Sequence, residues 1–444
     1  MNTTDLAAAV RPLLPAHLAR QRWYGAKHRE AVELEILAVE ELSAPFPAMV
    51  RMVVQASAGR EPDGTPHVGA AERYQLILGV RPIDQAATVG EVATVGAVES
   101  DDGALFVYDG LVDAELGMAL LHHVAPKHEA SGVRPIVAEQ SNTSLVYDER
   151  MIMKVFRRLS GANPEIEVTL ALADQGFEHI AEPLAVWRTS GDDLAVLQRF
   201  LPGGVEGWAL ALTSMRDLLD EGVDPAAAGG DLGPESERLG VMTAELHLAL
   251  ADAFGTTSGD PGAWADATAA RVASVQHPEL DRDAIEATLG RIRSLSDAGA
   301  SIRIHGDYHL GQVMRTDEGW FVLDFEGEPA RPVEERRLPS SPLRDVAGML
   351  RSFAYAAAVA VREQGPRATD EPAESWEQHN RDSFLTAYLA RLDGSPLLPA
   401  DLASTRMLLD AFELDKAIYE VAYEQAHRPD WVQIPLDAVR RLLK

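Results

Sequence analysis

Residues 304–329 read IHGDYHLGQVMRTDEGWFVLDFEGEP, two short apolar runs joined by a polar turn. Asp307 follows a first apolar run, Gln312 comes five residues later, and Asp324 closes the run WFVLD. Two strands so connected form a hairpin, which brings Asp307, Gln312 and Asp324 to one end. Phosphoryl transfer wants such a set: a carboxylate to orient a hydroxyl, and oxygen donors for the magnesium that bridges the phosphates. Magnesium takes hard oxygen ligands and keeps several waters, so few protein donors suffice. Glu326, two residues beyond Asp324, lies on the same face of an extended segment and is a further candidate ligand. The competing reading is a hairpin whose acidic residues face water, since a short motif stays a hypothesis until its surroundings agree.

The surroundings do agree. Upstream, MIMKV at 151–155 places one lysine, Lys154, inside an apolar run. An ammonium there is costly unless it meets an anion, and a lysine at that point of a strand is the pattern that reaches nucleotide phosphates. The alternative is an edge-strand lysine snorkelling to water. Glu167 stands in NPEIEVTLAL, a predicted helix with Asn163 as N-cap and Pro164 in its first turn. It is the expected ion-pair partner of Lys154; otherwise it is a first-turn glutamate that faces water and favours the helix dipole. The turn before the lysine strand, Gln140-Ser141-Asn142-Thr143-Ser144, is small and polar, suited to capping phosphates through N–H groups and hydroxyls. No Walker loop, HExxH, GxSxG or helix-opening GxGxxG is present. His122, His123 and His247 read as structural or surface residues, and zinc is disfavoured.

Composition narrows the class further. Forty basic against 69 acidic residues leave the 444-residue chain at −29, which argues against a nucleic-acid binder. The lack of Cys excludes disulfides, thiolate metal sites and Cys nucleophiles. The start shows no signal-peptide pattern, and runs such as 353–361 fall far short of the ~18 residues of a membrane span. A cytoplasmic chain with no membrane partner is expected. A helical stretch at 6–20 and β-like runs at 31–39, 48–55 and 74–80 predict a β-rich module over 1–90, with an exposed loop at 61–69. Strands around 134–156 and 185–200 place a second module at 91–204, ending in Pro202-Gly203-Gly204. Helices at 208–220, 235–254, 264–274, 281–297 and beyond 343 predict a helical module over 205–444, interrupted by a β-rich island at 302–326.

Together these pieces resemble the maltokinase-like branch of the aminoglycoside-phosphotransferase and eukaryotic-kinase-like superfamily. The matching segments are QRWYGAK at 21–27, AEQSNTS at 138–144, MKVFRR at 153–158, NPEIE at 163–167, HGDYHLGQV at 305–313 and LDFEGEP at 323–329. SPLRDVAGMLRS at 341–352 and ELDKAIYEVAYEQAHRPDW at 413–431 match as well, so the resemblance spans nearly the whole chain. It implies an α+β, bilobal kinase fold of the aminoglycoside-phosphotransferase type with an N-terminal β-rich cap module. It also implies ATP and magnesium in the cleft and a free sugar as acceptor. Carried over, Asp307 is implied as the catalytic base, Gln312 and Asp324 as magnesium ligands with Glu326 auxiliary, and Lys154 with Glu167 as the nucleotide-phosphate pair. Gln198 and Phe200 fall where such kinases hold adenine through backbone atoms. QSNTS stands in place of the glycine-rich loop of protein kinases. Within QRWYGAK, Arg22 and Trp23 read as packing residues ahead of functional ones.

In this family the C-terminal helices form much of the acceptor site. Glu413, Glu420 and Glu424 recur at helical spacing, and with Tyr423 and Trp431 they suit a sugar: carboxylates accept from hydroxyls while rings cover its apolar face. A solvated acidic helix face is the alternative. His309, two residues after the base, joins the expected substrate contacts. Asp410 stands where the resemblance leads one to expect Gly in stand-alone maltokinases, and Gln425-Ala426 replaces a more basic pair. Both changes make the region more acidic, which favours a cationic amino sugar over neutral maltose. Glucosamine kinase, giving glucosamine 6-phosphate, is therefore expected ahead of maltokinase, giving maltose 1-phosphate. An antibiotic-modifying phosphotransferase comes behind because of the QRWYGAK cap module and the C-terminal segment, and a catalytically dead pseudokinase because Lys154, Asp307 and Asp324 are all present.

Overall fold

The computed structural model describes residues 3–28, 32–58, 71–86, 88–100, 103–136, 142–189, 191–328, 331–364 and 370–444. The loop expected at 61–69, and Gln140 and Ser141, lie outside the described residues. The chain splits into two units, one of residues 1–166 with 181–202, the other of 167–180 with 203–444.

The first unit opens with α1 (Thr3–Val10) and α2 (Leu14–Ala19), then β1 (Val32–Ser43), β2 (Ala48–Ala58), β3 (Glu72–Pro82), β4 (Thr94–Ser100) and β5 (Gly103–Asp109). These strands form an antiparallel sheet in the order β1-β2-β3-β5-β4. The sheet therefore runs past residue 90, where the β-rich module was expected to end. Side chains alternate across a strand, and here both faces are covered. Leu76 and Leu78 pack with Leu6, Val10 and Leu14 of the helices, while Ile77 packs with Tyr108 and Leu120 on the other side. Double coverage explains why β3 reads as the continuous apolar run LILGV rather than as an alternation.

Helix α3 (Ala114–Val124), capped by the Asp113 side chain, leads into a second antiparallel sheet. Its strands are β6 (Val133–Ile136), β7 (Asn142–Tyr147) and β8 (Met151–Phe156); after β9 (Arg158–Leu159) come β10 (Pro183–Thr189) and β11 (Asp192–Arg199). The order is β10-β11-β8-β7-β6, and β9 pairs instead with β3 of the first sheet. Lys154 thus lies in the central strand.

Helix α4 (Pro164–Asp174) begins in the first unit and continues into the second. There follow β12 (Val205–Glu206), α5 (Gly207–Glu221), α6 (Gly233–Phe254), β13 (Thr256–Ser258), α7 (Pro261–Ser274) and α8 (Arg282–Arg293). The β-rich island holds β14 (Ala300–Ile302), β15 (Val313–Thr316) and β16 (Gly319–Val322), after which come α9 (Val333–Arg336), α10 (Leu343–Gln364), α11 (Asp370–Arg391), α12 (Leu402–His427) and α13 (Gln433–Leu442). One core of fully buried side chains, among them Leu246, Phe353, Trp376, Phe384, Tyr388 and Ile418, joins these helices. Gly348 of α10 abuts the loop after β14: a Cβ there would lie 2.5 Å from the Tyr308 carbonyl oxygen, so the close approach needs glycine.

Candidate active site

The loop between β14 and β15 carries Asp307, and a buried carboxylate holds it. Asp345, in the first turn of α10, accepts from the backbone N–H of His305 at 2.8 Å and of Gly306 at 2.9 Å. His247 Nε2 lies 3.3 Å from the same carboxylate, and its Nδ1 lies 2.9 Å from the Tyr388 hydroxyl. Burial opposes ionisation of Asp345, yet His247, His305 and the Gly306 amide together hold its carboxyl below the usual range. His247 is thus a buried structural residue, as its position in an apolar helical run suggests. The neighbouring Tyr308 hydroxyl bonds Thr243 at 2.8 Å, and His305 Nε2 bonds the Leu323 carbonyl at 2.9 Å.

On this fixed loop the Asp307 carboxylate meets Lys416 of α12, whose Nζ donates to Oδ1 at 3.3 Å. His309 lies beside Asp307: its Nδ1 accepts from the Gly311 N–H at 3.0 Å, so the neutral ring carries its hydrogen on Nε2, 4.0 Å from Asp307 Oδ2. Burial lowers the His309 pKa, against the pull of Asp307. Asp307, Glu328, Arg331, Arg344, Lys416 and Tyr419 line one pocket.

Gln312 precedes β15 and Asp324 follows β16, and the Leu323 N–H donates to the Gln312 carbonyl at 2.9 Å. The hairpin therefore brings Gln312, Asp324 and Glu326 to one end. Asp324 has φ of +58°, a left-handed conformation that a residue with a Cβ rarely adopts and that often marks a functional site. Carboxylate oxygens of Asp324 and Glu326 come within 4.8 Å of one another. An all-oxygen, half-buried donor set of this kind fits magnesium.

In the first unit Lys154 Nζ donates to Glu165 Oε2 at 2.5 Å. The expected partner, Glu167, is instead held within the second unit by Arg337 at 2.9 Å, with Arg303 at 3.9 Å. Helix phase is the reason. Glu165 shares a face with buried Thr169 and Leu172, four and seven residues on, whereas Glu167 shares one with exposed Asp174. Asn163 does cap α4, accepting from the Glu165 N–H at 2.8 Å. Asn142, Thr143 and Ser144 are residues of strand β7 rather than of a phosphate-capping turn. They face Phe156, Val155 and Lys154 across the ladder; Ser144 is buried and the Thr143 hydroxyl accepts from Arg157. Gln198 lies in β11 opposite Ile152 and Pro183, and the Phe200 N–H donates to the Arg150 carbonyl at 2.8 Å, so that donor is committed within the unit.

The acidic face expected on α12 is occupied by arginines. Glu413 forms a two-pronged pair with Arg381, both bonds 2.9 Å; Glu420 pairs with Arg351 at 2.7 Å, and Glu424 with Arg428 at 2.6 Å and Tyr355 at 3.2 Å. All three glutamates are buried and serve the helix packing, not an open acceptor surface. Asp410 is exposed. Tyr423 stacks on His427 at the exposed end of α12, and Arg428 lies over the Tyr423 and Trp431 rings. The carboxylates that line the pocket with Asp307 are Glu328, Glu335, Asp345 and Asp415, none of them from the expected set. Sequence alone does not single out Asp345, Lys416 or Glu165; a lone lysine within the buried positions of ELDKAIYE is the one local signal for Lys416.

Two family models match the chain: a maltokinase N-terminal cap domain over residues 17–113 and a phosphotransferase enzyme family over residues 132–380. A glucosamine kinase of Mycolicibacterium smegmatis is 32% identical over 337 residues, 71% of this chain and 80% of its own length. One of Streptacidiphilus jiangxiensis is 31% identical over 334 residues, 69% of this chain and 72% of its own. A solved structure of a glucosamine kinase in complex with glucosamine, ADP and inorganic phosphate shares the fold, with a TM-score of 0.67 at 24% identity, covering 97% of this chain and 99% of that one.

Proposed function

The chain belongs to the phosphotransferase enzyme family, with a maltokinase-type cap, and from that premise we propose that it is an ATP-dependent sugar kinase whose acceptor is glucosamine. The observation that carries the acceptor is the similarity to two glucosamine kinases over more than two thirds of the chain. Glu413, Glu420 and Glu424 of α12 do not carry it, because they are paired with arginines.

Asp307 is the base of this reading. It accepts the proton of a sugar hydroxyl as that oxygen bonds to the γ-phosphorus and the bond to the β-phosphate oxygen breaks, releasing ADP. Asp345 and His305 hold the loop so that the carboxylate needs no reorganisation during the step. Lys154, oriented by Glu165, receives the nucleotide phosphates. Gln312 and Asp324, with Glu326 beside them, would hold magnesium, which offsets charge on the transferring group.

Maltose remains a second acceptor reading, favoured by the maltokinase cap match over 17–113. ATP-dependent phosphorylation of glucosamine, glucose, maltose and an aminoglycoside, with magnesium present, separates the two. Turnover of glucosamine with maltose inert is expected; turnover of maltose alone would reassign the acceptor. Inertness of every sugar would overturn the kinase reading.

A further inference from the structure

The segment QRWYGAK has no part in the site above, and the first unit gives it one. The Arg157 guanidinium lies over the Trp23 ring, 5.2 Å from its centroid. Arg157 is buried; it donates from Nη2 to Asp109 at 2.5 Å and from Nε to the Thr143 hydroxyl at 2.9 Å. Nearby Gln75 of β3 is wholly buried. Its Nε2 donates to the carbonyls of Phe156 and Leu194, each at 3.1 Å, and its Oε1 accepts from Arg51 at 2.9 Å. Its backbone N–H donates to the Arg157 carbonyl at 2.7 Å.

The register of β8 against β11 runs to Val155 opposite Ala195. The Gln75 amide takes the carbonyl of the next residue on each strand, and Thr143 faces Val155 from β7. Lys154 lies two residues before Phe156 on the same strand. A second tie runs from Arg73 to Asp192 through two bonds of 2.7 and 2.6 Å. A buried glutamine costs desolvation that an apolar residue would not. What it supplies here is a directional bond to two strands at once, and such a satisfied network specifies one arrangement.

We infer that the cap module is a positioning element for the nucleotide: Gln75 and Arg157 fix the strand β8 and so place Lys154 for the phosphates. The inference rests on the kinase reading, and the experiment separates the two. Binding of a non-hydrolysable ATP analogue with magnesium is measured by calorimetry on the full chain as wild type, Gln75→Met and Trp23→Leu. KM for ATP and for the sugar is measured on the same proteins. Gln75→Met is expected to weaken analogue binding and raise KM for ATP by about fivefold or more, because small misplacements of a binding group are costly. KM for the sugar stays unchanged, which a general loss of structure would not produce. Trp23→Leu, half-buried and milder, moves the same values in the same direction and decides the matter if Gln75→Met does not fold. Wild-type binding with both folded variants unaltered overturns the inference alone. A wild type that binds no nucleotide overturns the kinase reading and this inference with it.

Discussion

The ammonium of Lys416, in the middle of α12, donates to the carboxylate of Asp307 across 3.3 Å, joining two residues 109 positions apart in the chain. Burial works against the charge on Lys416, but Asp307, Glu328 and Glu420 hold its pKa above the usual value, so it stays cationic at every working pH. Replacement by Met removes the ammonium that meets Asp307 and is expected to lower kcat/KM about tenfold or more, in the range of a lost charged hydrogen bond. Unchanged kcat/KM in steady-state assays would leave Lys416 without a role in the reaction.

Asp307→Asn keeps the shape of the loop and removes the proton acceptor. Turnover is expected to fall by about 10²–10⁴ while nucleotide affinity stays within twofold, since general base catalysis is worth that much. Activity near the wild-type level would remove Asp307 from its assigned role.

Glu165 and Glu167 are to be compared as single Gln variants. Glu165→Gln removes the carboxylate that the mostly buried Lys154 meets at 2.5 Å and is expected to cost about 3 kcal/mol and to weaken ATP binding. Glu167→Gln breaks a half-exposed pair with Arg337 and is expected to cost about 1 kcal/mol or less. Denaturant melts with nucleotide titrations read both, and the reverse ranking would restore Glu167 as the partner of Lys154.

Glu413→Gln uncouples Arg381 in the core and is expected to lower the melting temperature, at a cost of about 3 kcal/mol, without altering which sugar is accepted. Asp410→Asn, at an exposed position, is expected to leave both melting and the acceptor panel unchanged. A shift of preference from glucosamine to maltose in Asp410→Asn would reinstate the acidic-face argument.

Acid stability follows from Asp345 and Asp415. Burial opposes the charge of each, but His247 at the first and Arg344 with Arg271 at the second hold their folded pKa below the ordinary value. The unfolded chain therefore takes up these protons first. The stabilisation is complete above about pH 4 and is lost as pH falls below it. Melts between pH 6 and 3 should show a steeper acid decline for wild type than for Asp415→Asn, which lacks one of these groups.

Much of the site was legible because it is local. Gln312 and Asp324 flank the β15–β16 hairpin, which two short runs and the turn between them specify, whereas Asp307 stands before it in the loop after β14, a strand that pairs with β13 instead of closing the expected hairpin. Lys154 in an apolar strand and Asn163 as N-cap are equally local features. The partner of Lys154 was nearly legible: the choice of Glu165 over Glu167 follows from which face of α4 is buried, a matter of two residues in helical phase.

What the sequence by itself determined is which chemistry-bearing side chains stand close along the chain, namely the carboxylates of Asp307 and Asp324, the Gln312 amide and a lysine inside an apolar strand, each set by neighbours within a turn or a strand. Only the tertiary structure decided which charges are spent in packing. Glu413, Glu420 and Glu424 look alike along α12, yet Arg381 and Arg351, supplied by α11 and α10, close the first two, and Arg428 with Tyr355 closes the third. Lys416, four residues before Glu420, is the residue of that helix that reaches Asp307. Periodicity names the face of a helix but not the element packed against it, and a charge acquires its role from the counter-charge that long-range packing brings within reach.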